Sequence, residues 1–162
     1  MQFWDKTKRN HGLEHATISL LLAEVPHDKP MAGYSIPGGF FVVGNVTARQ
    51  VRANAEAGLA RMKAGDADLA ISPFCGTNIV VSAGLATIGT LVGYRLAGRG
   101  FRGVSRAFSN AVFAIVASRP LGKLAQQRYT TSADVGMMTI KDITRHQLGK
   151  VTVHWVATEF TG

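Results

Sequence analysis

From Ala70 through Tyr94 the chain carries no charged side chain, a run of 25 residues. About 20 apolar residues in a helix cross the hydrocarbon core of a bilayer, so the run is long enough to span one. Small residues recur four apart within it, Ser82 with Ala86 and Gly89 with Gly93, a spacing that lets a second helix approach closely. The segment that follows, "RLAGRGFRGVSR" at 95–106, holds Arg95, Arg99, Arg102 and Arg106. A second apolar stretch, 107–118, runs only 12 residues before Arg119 and Pro120. It reaches across a bilayer only if Arg106 and Arg119 extend their side chains to the two interfaces. Residues 77–125 therefore read as an inserted two-helix transmembrane hairpin. Its membrane and interface residues are Arg95, Arg99, Arg102, Arg106, Arg119, Gly89 and Gly93. The alternative is a helical hairpin buried in a soluble protein.

The flanks have a different character. Residues 9–25 predict a helix capped by Asn10, with Leu13, Ile18, Leu20, Leu21 and Leu22 as apolar surface. "VPHDKPMAGYSIPGG", 25–39, holds three prolines and three glycines and reads as a loop. "FFVVGNV", 40–46, is aromatic and β-branched and predicts a strand. "TARQ", 47–50, is a capping box, and Val51, Ala55, Leu59 and Met62 follow at helical spacing, so 48–64 is an amphipathic helix ended by Gly65. "DLAIS", 68–72, reads as a short strand. After the insert, 137–146 and 150–160 form a hairpin with Gly149 in the turn. The expected fold is α+β: a single domain over 1–162, with 1–76 and 126–162 building a small mixed body of about four strands and two helices around the insert at 77–125.

A length of 162 residues suits one domain with a real core. The formal net charge of +8 points to an acidic partner such as anionic lipid, nucleic acid or an acidic protein face. No zinc-finger spacing, aromatic RNA-binding box or long basic run accompanies it, so no specific nucleic acid is expected. Cys75 is the one cysteine, which excludes an intrachain disulfide and suits a reducing compartment. The start, "MQFWDKTKRN", lacks the apolar core of a signal peptide. The expected location is the inner (plasma) membrane. The four-arginine loop favours a cytoplasmic hairpin tip, but the unexported first 70 residues favour a cytoplasmic α+β part, and the second is preferred.

"NHGLEHATIS", 10–19, contains His11, Glu14 and His15 in the order H-x-x-E-H. On a helix, His11 and His15 are i and i+4 and share a face, with Glu14 one step round. Two imidazoles on adjacent turns can bind one divalent ion, zinc or another. A neighbouring carboxylate could take a proton from metal-bound water, which would make Glu14 a catalytic base. A catalytic zinc needs a third protein ligand. Glu56, Cys75 and His154 are all candidates, with Cys75 and Glu56 ranked as metal residues, and spacing does not choose among them. The bland alternatives are a first-turn glutamate favouring the helix dipole, a buried hydrophobe-like cysteine and a packed strand histidine.

Five segments, "HGLEHAT" (11–17), "GFFVVGNV" (39–46), "DLAISPFCGTN" (68–78), "QRYTT" (127–131) and "TIKDI" (139–143), together resemble an uncharacterised family of small bacterial membrane proteins. It is catalogued as a domain of unknown function and associated largely with phototrophic bacteria. The resemblance covers most of the chain and implies two membrane segments between the CGTN and QRxxTT motifs, with no established activity. In that family the position of Ser72 is often histidine, so the serine here removes one nearby ligand and either weakens the metal reading for this chain or shifts the ligand role to Cys75. The trio at 11–15 also resembles the inverted-motif zinc peptidases over five residues, where a distant glutamate is the third ligand; Glu56 would be its counterpart by analogy.

Three functions follow, the weakest of them a peripheral reader of anionic lipid or nucleic acid that uses the Arg/Lys excess. The preferred one is a non-catalytic, membrane-anchored accessory or assembly subunit of a larger bacterial membrane complex, with a bound metal compatible with it. Its partners would be the lipid bilayer and other membrane-protein subunits. The alternative is a membrane-anchored metal-dependent hydrolase using the H-x-x-E-H site.

Overall fold

The computed structural model describes residues 2–25, 30–97 and 100–161. They divide into two compact units: Met1–Ser72 with Gln127–Gly162, and Pro73–Gln126. The first unit is mixed α+β. In chain order it holds α1 (Phe3–Glu24), β1 (Ala32–Ile36), β2 (Gly39–Val43), α2 (Ala48–Lys63), a 3-10 turn (Ala67–Ala70), β3 (Met138–Leu148) and β4 (Val151–Phe160). The second holds α3 (Gly76–Ala97) and α4 (Phe101–Ala125), and a π-helical turn follows at Gln126–Thr130.

The four strands make one antiparallel sheet in the order β1-β2-β4-β3. Its central pair joins the two flanks of the insert, with Phe40 opposite Val156 and Val42 opposite His154. Side chains alternate across a strand, so Phe40, Val42, His154 and Val156 share one face and all are buried. There they pack in one core with Leu13, Ala16 and Leu21 of α1 and Val51, Ala55, Leu59 and Met62 of α2. On the other face the Phe41 and Trp155 rings lie 4.6 Å apart.

Several local expectations are met and others corrected. The α2 positions 51, 55, 59 and 62 are all buried. Its capping box is complete: Thr47 Oγ1 accepts from the Gln50 N–H, and the Thr47 N–H donates back to Gln50 Oε1. Thr47→Ala is expected to cost about 1 kcal/mol in a urea unfolding curve. The β3–β4 hairpin turns at Gly149, φ +61°, a backbone conformation that favours glycine.

Helix α1, by contrast, starts at Phe3 rather than at residue 9. Asn10 is not its cap but a fully buried clasp. Its amide donates to the Ile36 and Pro37 carbonyls, and its Oδ1 accepts from Thr158 Oγ1 at 2.7 Å. The segment expected to be a loop contains β1, an edge strand between Pro30 and Pro37, where proline is tolerated. "DLAIS" is a 3-10 turn rather than a strand; a five-residue apolar run does not distinguish the two.

The two-helix transmembrane hairpin is also corrected. The α3–α4 pair forms, but among the described residues only Gly76–Leu96 is long and apolar enough to cross a bilayer by length and composition. In α4 the charge-free middle, 107–118, is 12 residues, or about 18 Å of helix against a core of about 30 Å.

Candidate metal site

Helix α1 runs through the middle of the α+β unit, and this burial positions its polar residues. His15 is 4% exposed and Glu14 5%, whereas His11 is half-buried. The two imidazoles meet edge to face with centroids 4.4 Å apart and planes at 62°. Each is fixed by the main chain of another segment. His11 Nδ1 lies 2.8 Å from the Thr130 carbonyl oxygen, and His15 Nδ1 lies 2.8 Å from that of Ala70. A carbonyl oxygen only accepts, so both Nδ1 atoms carry a proton and Nε2 is the nitrogen left to each ring for another partner. Metal-ligating histidines are commonly fixed in this way, by donating their other ring N–H to a carbonyl or carboxylate. The helix can come this close to the 130–132 segment because residue 12 is glycine: a Cβ there would overlap the Ser132 carbonyl.

His11 and His15 each offer a ring nitrogen that could serve a metal ion, and Cys75, the other candidate donor, belongs to the helical unit. Nitrogen and thiolate donors suit zinc among the common divalent ions. Cys75 is buried and precedes α3, where its sulfur accepts the Thr77 N–H at 3.4 Å. Ser72, three residues earlier, is also buried.

Glu14 is turned to the sheet. Ser35 Oγ donates to its Oε2 at 2.5 Å, and the carboxylate packs where a side chain on Gly33 would stand. Burial pushes its carboxyl above the ordinary glutamate range; the Ser35 hydrogen bond and the nearby His11 pull the other way. Glu56 lies on the exposed face of α2, 3.6 Å from Arg52.

The residues expected at the membrane and its interface fall in the helical unit. Gly89 backs onto the Asn110 carbonyl and Ala114, and Gly93 onto the Arg106 carbonyl and Ala107. Arg95, Arg102, Arg106 and Arg119 are exposed. Arg99 lies outside the described residues.

Sequence reasoning did not find the Thr130 and Ala70 carbonyls, or Ser35. Ala70 and Thr130 do fall within "DLAISPFCGTN" and "QRYTT", two of the motif segments, but a main-chain acceptor leaves no residue-type signal. His154 is a polar group of another kind. It is fully buried on the core face, and among the described residues neither ring nitrogen has a hydrogen-bond partner. Burial lowers its pKa, the neighbouring Val42 main chain opposes this, and Arg145 adds to it. A lowered histidine stays neutral in the fold while the unfolded chain takes up a proton near pH 6.5. Its stability contribution is therefore full above that pH and falls as pH drops below it. His154→Leu is expected to raise stability by about 1 kcal/mol, by removing unsatisfied buried nitrogens. It should also flatten urea midpoints measured between pH 7 and 5.

A family model described as a domain of unknown function, DUF6391, matches residues 6–143. An uncharacterised protein of Picosynechococcus sp. is 34% identical over 141 residues, covering 80% of this chain and 68% of its own length. No solved structure matches the chain.

Proposed function

The chain belongs to the DUF6391 family, and on that premise we propose that it is a non-catalytic, membrane-associated accessory subunit that holds one divalent metal ion, zinc by preference, on His11 and His15. The observation that carries this reading is the pair of imidazoles. Both are fixed through Nδ1 by main-chain carbonyls, so that both use Nε2 as the donor atom. The burial of His15 suits an ion held for structure. Helix α3, with length and composition to enter a bilayer, supports membrane association. The two ends of the insert return to one sheet through the β2–β4 pair, so the insert begins and ends on the same side of any membrane it enters. A small metal-stabilised body with a lipid-facing insert fits an assembly partner of a larger membrane complex.

The hydrolase reading would use Glu14 as general base. Its carboxylate accepts from Ser35 and packs on Gly33, a setting that suits a structural brace better than a base facing metal-bound water.

Elemental analysis of the full-length protein purified in mild detergent tests the proposal. About one divalent ion per chain is expected in the wild type and in Glu14→Gln, and none in His11→Ala/His15→Ala. A wild type free of metal, or a double variant with unchanged content, would sink the metal assignment. Metal-dependent ester or peptide hydrolysis that Glu14→Gln abolishes would favour the hydrolase. Native electrophoresis tests the accessory role: the chain is expected to migrate with a larger complex, and migration alone contradicts it.

A further inference from the structure

The helical unit is built inside out for a water-soluble pair. The surface between α3 and α4 is lined by small and hydrogen-bonding residues. Ser82 and Ser118 meet Oγ to Oγ at 2.5 Å, Gln126 donates to Asn78 Oδ1 at 2.8 Å, and Gly89 and Gly93 admit the α4 backbone. The large apolar side chains point outward: Phe101 is 88% exposed, Leu96 78%, Phe113 75% and Phe108 71%. Helices that pack through small residues and hydrogen bonds while presenting apolar side chains outward are suited to lipid.

The charge of this unit is one-sided. Residues 73–126 carry Arg95, Arg99, Arg102, Arg106, Arg119 and Lys123 and no Asp or Glu, so six of the chain's eight net positive charges fall in this third of it. Arg95 lies in the last turn of α3, and Arg102 and Arg106 lie in the first turns of α4. Gly93 sits against the Arg106 carbonyl, so the three arginines share one end of the pair. Among the described residues none of them forms an ion pair with a carboxylate. At the same end, the α4 N-cap is Gly100, with no side chain to cap the first N–H groups. Unpaired guanidiniums beside uncapped helix N–H groups make an oxyanion-binding surface. Bulky apolar neighbours such as Phe101 and Leu96 separate this surface from a nucleic-acid groove.

We propose that the helical unit binds a negatively charged lipid bilayer, and that Arg95, Arg102 and Arg106 bind its phosphate headgroups while the exposed apolar side chains enter the acyl region. This rests on the membrane-association reading above and names the lipid class. Each basic residue near an anionic surface strengthens binding about fivefold, and salt weakens it.

The test uses the full-length chain, diluted from detergent onto vesicles of phosphatidylcholine alone or with about 30% phosphatidylglycerol, and scored by flotation. Preferential partition onto the anionic vesicles is expected, reduced at high salt. Arg102→Gln/Arg106→Gln is expected to weaken it about 20- to 30-fold, with thermal unfolding unchanged. Lys150→Gln, in the α+β unit, is expected to leave it intact. Equal partition onto both vesicle types, or an equal loss in Lys150→Gln, overturns the headgroup assignment and leaves membrane association standing. Partition onto neither overturns both. Displacement by duplex DNA at matched phosphate concentration also overturns the lipid assignment.

Discussion

Gly12→Ala is expected to strip the metal from the protein and to destabilise the α+β unit by about 1–3 kcal/mol. Gly12 lies between the two histidines in sequence, on the side of α1 that faces the 130–132 segment. A Cβ there would overlap the Ser132 carbonyl oxygen and crowd its carbon. These are main-chain atoms that cannot swing aside as a flexible side chain would, so the helix and the segment must part. The same segment supplies the Thr130 carbonyl that fixes His11. Loss of such an outer-shell partner costs about 10- to 100-fold in metal affinity. Metal content after dialysis and a urea unfolding curve check both halves. Gly76→Ala, where an added Cβ meets nothing within 4 Å, is the control and is expected to change neither. Full metal retention in Gly12→Ala would show that the Thr130 clamp does not position His11.

Phe40→Ala is expected to cost about 3–5 kcal/mol, much of the stability of a domain this size. Phe40 is fully buried at the centre of the sheet, opposite Val156, in the core shared with Leu13, Leu21 and Val51. Its removal leaves a cavity where both helices meet the strand pair that joins the two flanks of the insert. The unfolding curve should be taken with chelator present, because a bound ion stabilises the folded state by mass action and would mask part of the loss. Tyr34→Ala, on an exposed side chain of the same sheet, is expected to stay within about 0.5 kcal/mol. Equal losses in the two variants would contradict the assignment of the core face.

What the sequence revealed of this fold, and what it hid, follows from where each signal resides. Helix α2 was legible because its capping box and its buried positions are both local. The β3–β4 hairpin was legible because two β-rich runs flank a glycine that turns. The start of α1 was hidden by Asn10, whose side chain could cap a helix but instead ties α1 to the β1–β2 turn and to β4. Strand β1 was hidden by the prolines and glycines around it, which are harmless on an edge. Helix α4 looked able to span because its arginines could be imagined reaching both interfaces, yet its apolar middle is too short by composition.

At the site, the pairing of His11 with His15 was readable from i, i+4 spacing. Cys75 and Glu56 stood level as third donors; Cys75 is buried and Glu56 lies on an exposed face of α2, differences in burial that residue type and spacing do not carry. The carbonyls of Ala70 and Thr130, which set the ring tautomers, are main-chain groups and carry no sequence signature at all.

The most direct test of the metal face is the protonation pattern of the two rings. Long-range proton–nitrogen NMR correlation on the ¹⁵N-histidine-labelled protein in detergent, before and after zinc, reads it atom by atom. His11 and His15 are both expected to carry a proton on Nδ1, with zinc shifting Nε2 of each and sparing Nδ1. Nε2–H tautomers, or Nε2 signals unmoved by zinc, would contradict the assignment of these histidines as a carbonyl-clamped metal site.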